Sequence, residues 1–328
     1  MKNSAYIFAS VFADEILAYL ALRESQGHQA RRERHYLLTL DQYLQAVGAE
    51  EKALPPELVE GWLLSLPEGM HINTKIVYVS HYTQLAKYLH TLGLKAFVPE
   101  RPRDDRRYAP YIFSPQEMER IFVAADSRVT GNRTSDKTAM LQFPLILRLL
   151  YGCGLRLNEA LCLRAGDADL DTGVLLVRNA KGNKDRLIPM EPSLTEICRQ
   201  YFAVTGKTAA PQNLLFENSK GEQRSQCWAS TWFQWCIEAA GIAKPNLPRY
   251  NRNICLHCLR HTFAVDALCK QDRAGADMYD AASFLSTYMG HNNIYSTQRY
   301  IHLSEQNSAD IVSQNNAYTK GLFPEVPL

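Results

Sequence analysis

The first 152 residues contain no cysteine, and the eight cysteines that follow are scattered from Cys153 to Cys269. This is not the framework of a disulfide-stapled secreted module; packed thiols in a reducing compartment are expected. Long apolar runs are also missing. No stretch reaches the roughly 18 consecutive apolar residues that a membrane-spanning helix needs. The opening Met1-Lys2-Asn3-Ser4 runs into Asp14 and Glu15 without the apolar stretch and cleavage site of a secretory signal. A cytoplasmic location with no membrane partner is therefore expected. Charge of one sign is scarce: 36 Lys and Arg against 34 Asp and Glu leave a net +2. Any polyanionic partner must then be met by local clusters of cations, not by bulk charge. Apolar residues at 46% and charged residues at 21% describe a folded chain, without repeats or low-complexity segments.

At 328 residues the chain is long for one hydrophobic core, so two domains are expected. Residues 1–95 read as a small all-helical domain. Phe12 to Leu22 carries apolar residues at helical spacing, and Arg31 to Val47 does so through Tyr36, Leu37, Leu40, Tyr43, Leu44 and Val47, stopped by Gly48. Pro55-Pro56 opens a short helix through Trp62 and Leu66, and Thr74 to Leu92 is a long one ended by Gly93. Residues 96–110 read as a linker, since Leu94 to Pro110 mixes prolines with Lys and Arg and shows no helical period. Ser114-Pro115-Gln116-Glu117 then has the form of a capping box and opens the second domain, 111–328. There Phe143 to Tyr151 reads as an apolar helix broken by Gly152-Cys153-Gly154, with Asn158 as cap of the next. Residues 174–190 read as a β-hairpin turning at Lys181-Gly182-Asn183-Lys184. Helices follow, one with Trp228, Trp232, Trp235 and Ile237 spaced for a buried side.

Four separated segments carry chemistry. In Gly154-Leu155-Arg156-Leu157-Asn158-Glu159, Arg156 stands between a glycine break and a helix start, where helix N–H groups already favour an anion; a surface pair with Glu159 is the plainer alternative. Lys181 sits on the hairpin turn, where a lysine is commonly just solvated but could act as a movable proton donor. In Leu256-His257-Cys258-Leu259-Arg260-His261, His257 and Arg260 are three apart and share a helix side. They suit a common anionic target, because the planar guanidinium fork matches two phosphate oxygens, while His261 points elsewhere in a structural role. Last, Gly290-His291 precedes Tyr300 by nine residues. Nine residues of unbroken helix turn by roughly 900° and put the two on opposite sides. They converge only if the chain bends between them, as Asn292-Asn293 allows.

In this order and at these separations the segments closely resemble the catalytic domain of the tyrosine recombinase (phage integrase) family, over roughly residues 110–305. The family pattern is an Arg in a G-L-R-x-x-E stretch, a Lys in a β-hairpin, an H-x-x-R box, and G-H followed by the Tyr; this chain supplies Arg156, Lys181, His257, Arg260, His291 and Tyr300. Met278 to Met289 is longer by a few residues than the usual segment, and LSTYMGH is closer to recombinases of transposons and other mobile elements than to the chromosome-resolving type.

The resemblance implies a mainly α fold with a small antiparallel β-sheet, built as a two-domain C-shaped DNA clamp with a helical, SAM-like core-binding domain in front. It implies strand cutting by Tyr300 through a 3′-phosphotyrosine link and rejoining without ATP, metal or other cofactor, on double-stranded DNA carrying specific recombination sites. A bacterial cytoplasm is the implied setting, on the nucleoid when DNA is bound. The active form would be a homotetramer coupled by exchange of the C-terminal tail, in which Ile311, Val312, Leu322 and Phe323 supply apolar contacts, with accessory proteins possible as partners. Arg31, Arg32, Arg34, Lys75, Lys87, Arg101, Arg103, Arg106 and Arg107 are the candidate phosphate contacts, each with a solvated charged face as its alternative. A resolution recombinase, a type IB topoisomerase-like enzyme and a non-catalytic DNA-binding relic of the same fold remain open.

One motif stands apart. Cys255-Leu256-His257-Cys258 has the C-x-x-C form of a metal or redox motif, but no second ligand pair lies at a zinc-site spacing, so no metal is expected.

Overall fold

The computed structural model describes residues 7–27, 30–103, 110–127, 137–180, 184–209, 211–242, 254–291 and 295–307. The chain divides into two compact units, Met1–Tyr108 and Ala109–Leu328.

The first unit is built on helices α1 (Ala13–Ser25), α2 (Arg31–Ala46), α3 (Pro56–Ser65) and α4 (Ile72–Thr91). Leu37, Leu40 and Leu44 of α2 fall on one side at helical spacing and are buried with Ile16, Leu20, Trp62, Tyr82, Leu85 and Leu89. Asp41 is buried among them. It is satisfied by the Ala9 and Ser10 N–H groups at 3.0 and 2.9 Å and by Gln45 at 2.6 Å, which pins the segment leading into α1.

Strand periodicity is almost absent from this stretch, yet β1 (Ala53–Leu54) and β2 (Lys95–Ala96) pair in parallel. The Phe97 N–H extends the pairing to Leu54 O at 2.8 Å, and Tyr82 donates its hydroxyl to Phe97 O at 2.7 Å. Residues 95–97, expected as part of an irregular stretch, are thus packed into the first unit. Two-residue strands are too short to show a period.

In the second unit Ser114 and Glu117 make the expected capping box: the Ser114 N–H donates to Glu117 at 2.9 Å, and the Glu117 N–H donates to the Ser114 hydroxyl at 3.3 Å. It opens α5 (Pro115–Ser127); α6 (Lys137–Gly152) and the short α7 (Leu157–Leu161) follow. The cap of α7 is Arg156; Asn158, expected there, is already inside the helix. Strands β3 (Ala168–Asp169), β4 (Val174–Ala180) and β5 (Lys184–Pro189) form an antiparallel sheet in that order. Leu175 and Val177 are buried on one side with Ile188, while Leu187 points out to solvent.

Helices α8 (Pro192–Thr205) and α9 (Gln226–Ala239) come next. On α9, Trp232 and Ile237 are buried and Trp228 and Trp235 pack partly against the same core. Helices α10 (His257–Arg273), α11 (Met278–Met289) and α12 (Tyr295–Asn307) follow. These three share a separate apolar cluster of Ala264, Val265, Leu268, Ala282, Leu285, Met289, Tyr300 and Ile301. The long segment before His291 is thus a helix, capped by Asp277. The expected tail contacts at Ile311, Val312, Leu322 and Phe323 lie outside the described residues, as do Arg106, Arg107, Lys181 and the Asn292-Asn293 turn. Among the described residues no helix is long and apolar enough to cross a membrane.

Candidate functional site

The site grows from two backbone breaks. After α6 the chain turns at Gly154, whose φ of 58° is left-handed; a β-carbon there would land against the Phe263 ring. After α11 it turns at Gly290, φ 64°. These breaks bring the start of α7 and the end of α11 together, with β5 and α10 beside them.

Arg156 donates from Nη1 to Glu159 Oε1 at 2.7 Å and from Nη2 to Gly290 O at 2.9 Å. Its pairing with Glu159 is the plain alternative foreseen for it, but the reach across to Gly290 is not a surface contact. Arg260, only 1% exposed, donates to the Gly154 carbonyl and, at 2.7 Å, to Met289 O, and lies 4.0 Å from Glu159. Burial, and then repulsion from Arg156, lower its pKa to about 10, which leaves it a cation at neutral pH.

A third arginine completes the cluster. Arg186 of β5 grips both Glu159 oxygens at 3.1 and 2.8 Å and donates from Nε to Tyr288 O at 3.0 Å. Sequence reasoning placed it in the 174–190 hairpin and gave it no role. The available signal was a cation inside that strand beside a turn, whose nearest acid in sequence, Asp185, is the adjacent residue and so points to the other face of the strand.

Glu159 therefore stands among three guanidinium groups. Burial opposes its ionisation, but hydrogen bonds from Arg186 and from the Arg156 backbone and side chain outweigh that and hold its pKa at about 2.

Tyr300 is 2% exposed. Its hydroxyl lies 2.7 Å from His261 Nδ1, and its ring stacks over His291 with centroids 6.3 Å apart and planes 20° from parallel. Burial pushes the phenol pKa up, against the lowering pull of Arg260, Arg299 and Arg156. His291 Nδ1 is 2.7 Å from the Thr297 hydroxyl at the start of α12. His257, the exposed first residue of α10, meets His261 edge to face at 4.6 Å.

The structure thus brings Arg156, His257, Arg260, His291 and Tyr300 into one neighbourhood, with Tyr300 on α12, an element separate from the α11 that precedes His291. His261 corrects the expectation of a role pointing elsewhere: one helical turn past His257, it faces the Tyr300 hydroxyl. The i, i+4 relation of the two histidines was the signal for it. Among the described residues no three His, Cys, Asp or Glu side chains gather to hold a metal.

The candidate phosphate contacts of the first unit are more dispersed. Arg32, Lys87, Arg101 and Arg103 are exposed and Lys75 is half-buried. Lys75 and Lys87, twelve apart on α4, point roughly 120° from each other. Arg34 pairs with Glu24 at 3.3 Å on the surface. For Arg31 only the backbone, at the start of α2, is described.

A tyrosine recombinase of Thermosipho africanus is 25% identical over 302 residues, covering 89% of this chain and 96% of that one. The tyrosine recombinase XerC of Chlorobaculum tepidum is 31% identical over 234 residues, covering 67% of this chain and 62% of that one. A DNA-bound lambda integrase structure, residues 75–356, superposes with a TM-score of 0.61 at 14% identity over 88% of this chain and 94% of that one, a likeness of fold. The sequence model of the phage integrase family matches residues 112–307, the span from just before α5 to the end of α12. The chain belongs to the phage integrase family, the family of the tyrosine recombinases.

Proposed function

We propose that this protein cuts and rejoins DNA at specific sites, with Tyr300 as the nucleophile. The observation that carries it is the gathering of a tyrosine hydroxyl, two histidines and two anchored arginines at the Gly290 turn. A phosphodiester is anionic and repels nucleophiles; Arg156 and Arg260 would hold its non-bridging oxygens, with His257 and His291 adding hydrogen bonds. Arg156 is half-exposed. It gives Nη1 to Glu159 and Nη2 to Gly290, and a guanidinium holds five N–H donors, so it retains some for a phosphate. Charge developing on phosphorus meets donors already in place, each worth about 3 kcal/mol of barrier.

Tyr300 attacks phosphorus, the 5′-oxygen leaves with a proton from Lys181, and the DNA 3′ end stays on the tyrosine as a phosphodiester. Attack by the freed 5′-hydroxyl reverses the step, so the bond energy is conserved and no ATP is consumed. The arginines serve the charge-neutralising purpose that metal ions serve in many nucleases. The phenol needs a base, and His257 and His261 are the imidazoles on its side of α10. Arg32, Lys75, Lys87, Arg101 and Arg103 contact phosphates, and a homotetramer coupled by its C-terminal tails performs the exchange, aided by accessory proteins where a site requires them. The substrate is the end of a mobile element, integrated or excised, because LSTYMGH resembles the recombinases of such elements more than the chromosome-resolving type.

The test is covalent capture. The protein is incubated with nicked duplexes spanning the sequences that flank its gene, and adducts are resolved under denaturing conditions. The wild type is expected to leave protein attached to DNA and Tyr300→Phe none. An adduct that persists in Tyr300→Phe refutes the nucleophile. Band shift without any adduct from the wild type favours the binding-only relic.

A further inference from the structure

The Cys255-Leu256-His257-Cys258 motif is not used by the proposed chemistry, yet it opens the helix that carries three residues of the site. Cys255 is half-buried just ahead of α10, and Cys258 is buried in its first turn. Their sulfurs lie 3.9 Å apart, with the Cys255 N–H also directed at Cys258 Sγ at 3.5 Å. The backbone already makes the turn that a two-residue disulfide ring needs: the Cys258 N–H donates to Cys255 O at 2.9 Å. Closing to a bonded distance of about 2.05 Å asks the sulfurs to approach by roughly 2 Å. Access is asymmetric, as in reversible dithiols. Cys255 is partly exposed, while the hydrogen bond with Cys255 and burial keep the inner thiol protonated.

From this geometry we propose that Cys255 and Cys258 form a reversible disulfide that switches the site off by displacing His257. The co-reactant is a low-molecular-weight disulfide. Cys255, as thiolate, attacks one of its sulfurs and expels one thiolate, leaving a mixed disulfide. Cys258 then loses its proton and attacks Cys255 Sγ, expelling the second thiol. Two protein thiols and one small disulfide become one protein disulfide and two small thiols, so the protein loses two electrons and two protons to the reagent.

Both ends of the motif are anchored. Ile254 is buried and its carbonyl accepts from Gln234 at 3.0 Å, and Cys258 is held in the core. Leu256 is buried in the same core, so the movement falls on the exposed His257. His257 packs at 4.6 Å on His261, which holds the Tyr300 hydroxyl, so the shift reaches the nucleophile. The effect on strand cutting rests on the function proposed above; the disulfide itself does not.

The test uses the full chain treated with oxidised glutathione, then with dithiothreitol. Trypsin yields the peptide Asn253–Arg260, which holds both cysteines. After oxidation it is expected two hydrogens lighter and closed to alkylation, and it reopens on reduction. Cys255→Ser is expected to keep Cys258 alkylatable throughout. The ring resonances of His257 and His261 are expected to shift on oxidation in the wild type and stay put in Cys255→Ser. Adduct formation is expected to fall at least about tenfold on oxidation, to recover on reduction, and to be indifferent to oxidation in Cys255→Ser. A peptide that stays open, or that stops at a glutathione adduct, overturns the disulfide. A closed peptide with unmoved histidine resonances overturns the switch. If the reduced wild type makes no adduct, the proposed function has failed, while the peptide and the resonances still decide the disulfide and the displacement.

Discussion

Glu159→Gln isolates the charge that organises the site. The carboxylate is nearly buried and accepts from Arg156 and from both Nη atoms of Arg186, with Arg260 at 4.0 Å. A carboxyl held at about 2 when its ordinary value is 4.5 contributes on the order of 3 kcal/mol to folding at neutral pH, at about 1.4 kcal/mol per tenfold change. Glutamine keeps the shape and one acceptor but leaves three cations facing each other. The expected loss of about 3 kcal/mol lowers the Tm of the second unit by roughly 6–12 °C.

The sign of the pH dependence follows from the lowered pKa. The stabilisation is complete above the unfolded value, near 4.5, and is lost as pH falls toward about 2. Denaturant titrations of wild type and Glu159→Gln at pH 7, 5 and 3 measure it. The gap between the two proteins is expected to hold from pH 7 to 5 and to shrink to under half by pH 3. A gap that stays constant through pH 3 would falsify the electrostatic account and assign the loss to packing.

Other consequences are direct. Tyr300→Phe leaves His261 Nδ1 without its buried partner, so a loss of about 1–3 kcal/mol is expected in denaturant melts, and an unchanged midpoint would mean the 2.7 Å contact carries no weight. Gly290→Ala puts a β-carbon on a left-handed residue, 3.3 Å from the Arg186 Nη1. A cost of about 1–2 kcal/mol is expected together with a loss of adduct formation, and full activity in the alanine variant would show that the turn does not set the site. Arg32→Ala is expected to lower the salt slope of DNA affinity by about one and Arg34→Ala by less, because Arg34 is already paired with Glu24; equal slopes in titrations across salt would refute the distinction.

What was legible in the sequence divides along physical lines. Long amphipathic helices announced themselves because a buried stripe must recur every three to four residues, as Leu37, Leu40 and Leu44 do. The Ser114–Glu117 cap was legible because its partners are three residues apart. That Tyr300 stands on an element separate from the helix before His291 was legible from helix geometry alone, since nine residues of unbroken helix put the two on opposite sides. The β1–β2 pair was not, because two-residue strands have no period and their partners stand about forty residues apart. Arg186 was missed for a related reason. Its acid partner, Glu159, is 27 residues away, and nothing local separates a cation aimed into a site from one on a solvated strand. The C-x-x-C motif was visible, but whether its sulfurs approach depends on the start of α10, which only the fold supplies.

The anchoring of the site also indicates how it could open. The three arginines grip carbonyls of Gly154, Tyr288, Met289 and Gly290, all of them before α12 begins. Tyr300 rides on α12 and is held by one hydrogen bond to His261 and by its place in the small cluster with Leu268, Leu285 and Ile301. Undocking it costs about 1 kcal/mol for the hydrogen bond and about 2–3 kcal/mol for the exposed ring. That is within reach of the contacts a bound DNA supplies, and far less than dismantling the arginine cluster. In the proposed mechanism the phosphate-binding cations therefore stay fixed while the nucleophile moves. A protomer whose Tyr300 is docked would hold DNA without cutting it, and a partner that drew α12 away would set the moment of cleavage. His291 sits at the joint, before α12 in sequence but bonded to Thr297 within it at 2.7 Å, so releasing the helix would change the partner of a second histidine in the same movement.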